Sequence, residues 1–134
     1  MEVIRAMHVK VGNVLWVDLS EGRTWVDCVP DDWRQRFVGG RGINARYLWD
    51  LVPPGIDPLG PENVIIFGTG LATGTTVPSS GRISVTCMSP ATHLYLKTSA
   101  GGSLAPELRD GGYDFLLVEG GAQAPRLSGI CGGK

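Results

Sequence analysis

The sequence has few of the residues that carry most redox, metal and nucleophilic chemistry. Among its 134 residues there are three cysteines and two histidines. Cys28, Cys87 and Cys131 stand at wide and unrelated spacings, which offer neither a CxxC metal knuckle nor a disulfide framework. His8 and His93 lie far apart along the chain, so a Ser-His or Cys-His pair has little support. We therefore predict no catalytic residue and no metal ligand. The three cysteines are expected to be reduced thiols without a specific role, in a reducing compartment.

The chain also lacks a strong charge of either sign and a long apolar run. Its 12 Lys and Arg residues nearly balance its 13 Asp and Glu residues, so the formal net charge is −1. Such a surface has no basic field to gather nucleic acid or anionic lipid. No run approaches the ~20 apolar residues of a membrane span, and the N-terminus lacks the apolar centre of a signal peptide. These absences predict a cytoplasmic protein with neither nucleic acid nor a membrane as its partner.

Glycine, by contrast, is abundant, with 20 residues. Between Gly68 and Gly102 the chain carries GTGLATG at 68–74, PSSGR at 78–82 and SAGG at 99–102. Glycine lets a backbone approach a ligand closely because it has no Cβ and tolerates positive φ. Arg82 follows the second of these loops at the start of a predicted strand, where a guanidinium fits a phosphate or a polar heterocycle. A surface ion pair is the alternative role for Arg82.

Hydrophobic periodicity predicts an α+β domain with mixed or antiparallel strand pairing and short helices. Strands are predicted at 13–19, 24–29, 64–69, 82–88, 93–98 and 114–119, and helices at 31–37, 43–52 and 103–110. Trp16 and Trp25 are expected to pair across the first hairpin. Asp31 is a candidate cap for the first helix, and Trp49 is expected on the apolar stripe of the second. The apolar run 64–67 predicts a strand buried on both faces.

Composition divides the chain into three parts. Residues 1–12 are predicted to be an N-terminal extension, 13–120 a folded domain and 121–134 an irregular tail. The tail is rich in glycine and has almost no periodic apolar face, which is typical of a segment without regular structure.

Two segments partly match nucleotide-binding motifs, but each lacks a feature that its motif requires. GRGINA at 40–45 matches the dinucleotide fingerprint, but the preceding 34–38 is predicted as helix rather than as the buried strand that this fingerprint requires. The loop 68–74 is not followed by the Lys-Ser/Thr pair of a Walker loop. Free N–H groups in such a loop can still bind an anion. A nucleotide- or phosphometabolite-binding module, and an interaction subunit with uncovered strand edges, therefore stay open as alternatives.

Five fragments, taken together and in order, resemble a known family. They are VGGRG at 38–42, PLGPEN at 58–63, TGLATGT at 69–75, SGR at 80–82 with SP at 89–90, and GG at 101–102 followed by APEL at 105–108 and GYD at 112–114. In this order they resemble the N-terminal domain of tungsten-dependent aldehyde ferredoxin oxidoreductases, including related subunits that act on aromatic substrates. The resemblance spans roughly residues 12–121.

The resemblance implies a domain that forms the base for a tungsten-bis-pterin cofactor. It implies that Arg82 lies between the pterin and a 4Fe–4S cluster. It also implies that Ser99, Ala100, Gly101 and Gly102 contact the pterin and its phosphates. Better-known members carry Asn where this chain has Ser99, which changes the side chain available near a phosphate-bridging Mg²⁺. The complete enzyme would oxidise aldehydes to carboxylic acids, with ferredoxin as the electron acceptor.

The low cysteine count also bears on this resemblance. The family's cluster is held by cysteines in a later domain, and this chain carries no such set. The rest of the N-terminal domain and the helical domains that enclose the substrate are also outside this sequence. We therefore expect a truncated product that is inactive alone and that associates with the missing remainder of the enzyme or with further copies of itself.

Overall fold

The computed structural model describes residues 12–126 and residue 129. They form one six-stranded sheet and three short helices, so the predicted α+β class is confirmed. The elements are β1 (Asn13–Asp18), β2 (Arg23–Cys28), α1 (Asp31–Phe37), α2 (Arg41–Leu51), β3 (Val64–Thr69), β4 (Ile83–Met88), β5 (Tyr95–Ala100), α3 (Leu104–Asp110) and β6 (Phe115–Glu119). None of the helices in this part of the chain is long and apolar enough to cross a membrane.

The sheet is mixed, with strand order β2-β1-β6-β3-β4-β5. Only β1 and β6 pair in parallel among these strands, while the other four pairs are antiparallel. The parallel pair arises because β6 returns to the centre of the sheet and inserts between β1 and β3. β2 and β5 are left as the two edges, and most of their residues are exposed.

The main core lies between one face of the sheet and the helices α1 and α2. Its fully buried members come from the central strands and from α2: Val14, Ile43, Ile66, Phe115 and Leu117. α3 covers only part of the opposite face, where Ala105 and Leu108 pack with Ile83. Ile65 on β3 is 43% exposed, so the expectation that 64–67 is buried on both faces was wrong. The short α3 does not extend far enough to cover this strand completely.

The first hairpin confirms the expected aromatic pair. Trp16 and Trp25 are directly opposite in the register of β1 and β2. Their rings stack with centroids 5.4 Å apart and planes 9° apart. Trp16 is buried and Trp25 is partly exposed, so the pair covers the edge of the core.

The helices differ from the prediction in detail. α2 begins at Arg41 rather than at residue 43. Gly42 can belong to the first turn of this helix because it has no side chain, and a Cβ at this position would overlap the carbonyl oxygen of Phe37. Trp49 is 81% exposed and not part of the core, because the buried side of α2 is rotated by about one residue. That side consists of Ile43, Asn44, Tyr47 and Leu48. Asp31 is the first helical residue of α1, and the N-cap position is Pro30, without a side-chain cap.

β5 begins two residues later than predicted. His93 adopts a positive φ of 55°, and the turn before it closes through hydrogen bonds from Ser89 N to Leu94 O and from His93 N to Ser89 O, both 2.8 Å long. As a result Ser99 and Ala100 lie inside β5 and pair with Ser84 and Ile83. They are strand residues and not the loop residues that the glycine pattern indicated.

Residues 121–126 contain neither helix nor strand. The other residues of the predicted tail except Gly129, Cys131 among them, lie outside the described residues. The predicted extension up to residue 11, including His8, also lies outside them.

Candidate functional site

The glycine loop 68–74 borders a cleft of about 450 Å³ that faces the turn between α1 and α2. The lining residues are Val38, Gly39, Gly70, Leu71, Ala72, Thr73, Ser80 and Arg82. Arg82 is exposed and makes no hydrogen bond or ion pair with any residue that the structure describes. The alternative of a surface ion pair is therefore not realised within residues 12–126 and 129. Within this part of the chain Arg82 is instead an unpaired cation, on a surface that combines glycine backbone with the exposed apolar side chains of Val38 and Leu71.

Two glycines allow the α1–α2 turn to lie against the end of β3. A Cβ at Gly40, which has a φ of +47°, would be 3.4 Å from the carbonyl oxygen of Thr69. A Cβ at Gly39 would be 3.6 Å from the side chain of Leu71. Between this turn and α1, Val38 adopts a φ of 65°, which is uncommon for a β-branched residue. Backbone strain of this kind is concentrated at functional sites.

Arg109 on α3, which does not line the cleft, holds the glycine loop by its carbonyl oxygens. Its Nη1 lies 2.8 Å from Gly70 O and 2.9 Å from both Leu71 O and Thr73 O. Nη1 carries two hydrogens, so at least one N–H is shared between acceptors. Its Nε lies 3.2 Å from Asp114 Oδ1, and the two side chains are only 10% and 5% exposed. Sequence reasoning missed this role of Arg109, because nothing in the local pattern links it to a loop that lies 36 residues earlier in the chain.

Asp114 also connects this arrangement to the first strand. Its Oδ2 accepts a 2.5 Å hydrogen bond from Gly12 N. Within the loop, Thr73 Oγ1 accepts from Gly70 N at 3.1 Å and donates to Ser80 O at 2.9 Å. The loop is therefore held by the hydrogen bonds of Thr73 within it and by those that its carbonyl oxygens accept from Arg109.

A second buried polar residue lies beneath the loop. Asn44 on α2 is fully buried, and its Nδ2 donates to Ile66 O at 3.3 Å and to Ser84 O at 3.1 Å. Its Oδ1 has no hydrogen-bond partner among the described residues. The sequence could have indicated Asn44, because a polar residue on the buried side of a helix is unusual. The predicted buried side of α2 was rotated by about one residue, so Asn44 was not included in it.

The four residues SAGG at 99–102 lie beside the cleft and do not line it. Ala100 pairs with Ile83, the residue after Arg82. A Cβ at Gly81 would be 3.4 Å from Gly102 O, so the two segments run close together at the start of β4. The structure thus brings Arg82 and the segment Ser99–Gly102 to one end of the sheet, with the glycine loop on the other side of Arg82. Ala100, Gly101 and Gly102 are exposed there.

The described residues contain no group of three or more His, Cys, Asp and Glu side chains able to hold a metal. Cys28 is exposed, whereas Cys87 is half-buried and burial raises the pKa of its thiol. A raised pKa disfavours the thiolate, which is the reactive form. The site can therefore recognise an anionic or polar ligand through backbone N–H groups and a guanidinium, but it offers no evident nucleophile or acid–base pair.

Comparison with known proteins identifies relatives of this chain. Residues 14–132 match the family model for the aldehyde ferredoxin oxidoreductase N-terminal domain. The tungsten-containing aldehyde ferredoxin oxidoreductase of Pyrococcus horikoshii is 37% identical over 114 residues, which are 85% of this chain and 19% of that protein. The Pyrococcus furiosus protein of the same name is 35% identical over 119 residues, 89% of this chain and 20% of that protein. An aliphatic sulfonate oxidoreductase, WOR-like subunit, of Pyrococcus furiosus is 30% identical.

A solved structure supports the same relationship. The active-site complex BamBC of benzoyl coenzyme A reductase, in complex with 1,5-dienoyl-CoA, superposes with a TM-score of 0.81 and 39% identity. The match covers 84% of this chain and 17% of that one. This chain spans about a fifth of the length of the relatives it matches. On these matches, the chain belongs to the aldehyde ferredoxin oxidoreductase N-terminal domain family.

Proposed function

We propose that this domain is the cofactor-binding base of an oxidoreductase and that its cleft and the adjoining segment Ser99–Gly102 receive a tungsten-bis-pterin group. The observation that carries the proposal is Arg82, unpaired among the described residues, on a cleft of about 450 Å³ that it shares with two glycines and the exposed apolar side chains of Val38 and Leu71. A flat heterocycle with anionic substituents suits such a surface, because backbone can approach it closely and the guanidinium can donate several hydrogen bonds.

The residues present fit the organic part of this group rather than its metal. A Cβ at Gly40 would fill space beside Thr69 O, so the close approach of the two lining segments depends on glycine. The described residues provide no set of metal-ligating side chains. In this proposal, the direct ligands of tungsten, a 4Fe–4S cluster and the rest of the substrate enclosure would come from outside this domain. The same proposal includes a Mg²⁺ ion, which would lie near the phosphates with the Ser99 hydroxyl as the available side-chain oxygen.

When bound, the tungsten-pterin group would supply the two-electron oxidation of an aldehyde to a carboxylic acid, with ferredoxin accepting the electrons. The role of this chain is to bind and orient. Arg82 would donate to the pterin or its phosphate oxygens, and the exposed backbone at Ala100, Gly101 and Gly102 leaves room for the ligand at the end of β4. The Ser99 hydroxyl could donate or accept a hydrogen bond.

Binding of a pterin by the full chain tests this proposal. Neopterin monophosphate serves as the probe in isothermal titration calorimetry. ATP is titrated separately, because it represents the alternative of a nucleotide-binding module. Arg82→Gln should weaken pterin binding about tenfold or more, since a hydrogen bond to a charged group contributes about 1.5–3 kcal/mol. Arg126→Gln is the matched control, because Arg126 is exposed and does not line the cleft.

Equal affinity of the Arg82→Gln variant and the wild type would contradict the assignment of the cleft. Binding of ATP without binding of the pterin would favour the alternative of a nucleotide-binding module.

A further inference from the structure

The orientation of the glycine loop has a direct consequence for its N–H groups. The carbonyl oxygens of Gly70, Leu71 and Thr73 all point to Arg109 Nη1. In a trans peptide the N–H of the next residue points away from the preceding carbonyl, because the unit is planar. The N–H groups of the three following residues therefore point away from Arg109. These residues are Leu71, Ala72 and Gly74.

Among the residues that the structure describes, these three N–H groups have no acceptor, whereas the N–H groups of Gly70, Thr73 and Thr75 each have one. Gly70 N donates to Thr73 Oγ1, Thr73 N to Gly70 O and Thr75 N to Ala72 O. No acceptor for the N–H groups of Leu71, Ala72 or Gly74 is found among the residues that the structure describes. Three donors without a protein acceptor in the described part of the chain thus occur within four consecutive residues of one loop.

The donors belong to the same surface as Arg82. Leu71 and Ala72 line the cleft together with Arg82, and Gly74 follows Thr73, another lining residue. A Cβ at Gly39 would lie 3.8 Å from Leu71 N, so the absence of a side chain at Gly39 leaves space beside this donor. The charge of Arg109 is balanced by Asp114, and the attraction for an anion must come from the N–H dipoles and from Arg82.

We propose that the N–H groups of Leu71, Ala72 and Gly74, together with Arg82, bind a phosphoryl group, and that Arg109 is the positioning residue that directs these N–H groups outward. This inference rests on the proposed function for the cleft, but it places an anionic group at the loop 70–74 and not at Ser99–Gly102. Successive backbone N–H groups form a concave anion site, and a guanidinium adds two donors in a geometry that matches phosphate oxygens.

Inorganic phosphate is the probe, titrated into the ¹⁵N-labelled full chain at constant ionic strength against chloride. We expect the amide signals of Leu71, Ala72 and Gly74 to shift together and to saturate with one Kd. Arg82→Gln should weaken that Kd about tenfold or more, and Arg126→Gln should not change it. Saturable shifts confined to residues 99–102, or small non-saturating shifts spread over the surface, would overturn the proposal.

The positioning role of Arg109 is tested in the same experiment. Arg109→Lys keeps the charge, but it has no planar group that can donate to three carbonyls and also lie beside Asp114. It should weaken phosphate binding and shift the loop amides while the remaining amide signals stay in place. If Arg109→Lys does not fold, the double variant Arg109→Gln/Asp114→Asn removes both buried charges and serves instead. Unchanged phosphate affinity in a folded variant would overturn the role of Arg109.

The two proposals fail in different ways. Binding of unphosphorylated neopterin without any effect of phosphate on the loop amides would contradict this inference and leave the pterin proposal standing. Phosphate binding at the loop without pterin binding would support this inference and contradict the proposed function.

Discussion

Asn44 and Gly68 lie side by side at the centre of the fold, and the side chain of Asn44 fits there only because Gly68 has no side chain. A Cβ at Gly68 would overlap Asn44 Oδ1 and would lie 2.9 Å from Phe115 Cε1. Asn44 in turn donates to backbone carbonyls of both β3 and β4. This contact ties α2 to the two strands at the base of the glycine loop, so a local packing requirement supports the geometry of the cleft.

Gly68→Ala should therefore lower the free energy of unfolding by about 1–3 kcal/mol, the usual cost of overpacking a close-packed core. Urea denaturation followed by tryptophan fluorescence measures the change. Gly121→Ala is the matched control, because its Cβ would make only an ordinary contact, 3.7 Å from Pro61. In an Asn44→Ala background the same Gly68→Ala change should cost less, since one of its two clashes is gone. Equal costs in the two backgrounds would contradict the shared space.

The Arg109–Asp114 pair should show the asymmetry of a buried ion pair. Arg109→Ala leaves Asp114 buried at 5% exposure without its partner, so it should lower stability by about 3–5 kcal/mol. The double variant Arg109→Ala/Asp114→Ala should be more stable than Arg109→Ala alone, because no uncompensated charge remains. Urea denaturation of the wild type, both single variants and the double variant completes the cycle. A double variant less stable than Arg109→Ala would show that the two residues act independently.

The sequence predicted the elements well and the polar contacts poorly, for physical reasons. Strand and helix positions follow from local periodicity, so all nine elements were anticipated, with shifts of one or two residues at most ends. The misplacement of β5 came from the positive φ of His93, which only the closed turn reveals. Arg109 was missed because its acceptors lie 36 to 39 residues away in sequence, and no local pattern encodes such a contact.

The candidate site was partly anticipated. The clustering of glycine around Arg82 indicated a surface of close approach, and the structure places Arg82 on a cleft formed with the loop 68–74. Ser99 and Ala100 were expected in a loop beside the ligand but form the end of an edge strand. Their roles in cofactor binding stay predictions. What sequence alone could not give is the orientation of the loop's carbonyl and N–H groups, which Arg109 determines from another element.

Stability should also fall at alkaline pH through Tyr47. Burial, followed by the negative charges of Asp27 and Cys28, raises the pKa of Tyr47 from 10.0 to about 12. The folded state therefore favours the neutral phenol, and its contribution to stability is complete below pH 10 and is lost as pH rises towards about 12. Urea midpoints measured across this window should fall in the wild type and fall less in Tyr47→Phe.

Tyr95→Phe is the control for this pH dependence, since Tyr95 is 47% exposed at the edge of the sheet. It should keep the wild-type decline. A Tyr47→Phe variant whose stability declines as steeply as that of the wild type would show that other groups are responsible.

The central claim is that this domain holds a tungsten-pterin group through Arg82. The most direct test replaces the matching part of the Pyrococcus furiosus tungsten-containing aldehyde ferredoxin oxidoreductase, 35% identical over 119 residues, with this domain and measures tungsten per chain after purification. We predict tungsten content close to that of the parent enzyme, a marked loss with Arg82→Gln and no loss with Arg126→Gln. A folded chimera that holds no tungsten, or one whose tungsten content is unchanged by Arg82→Gln, would contradict the claim.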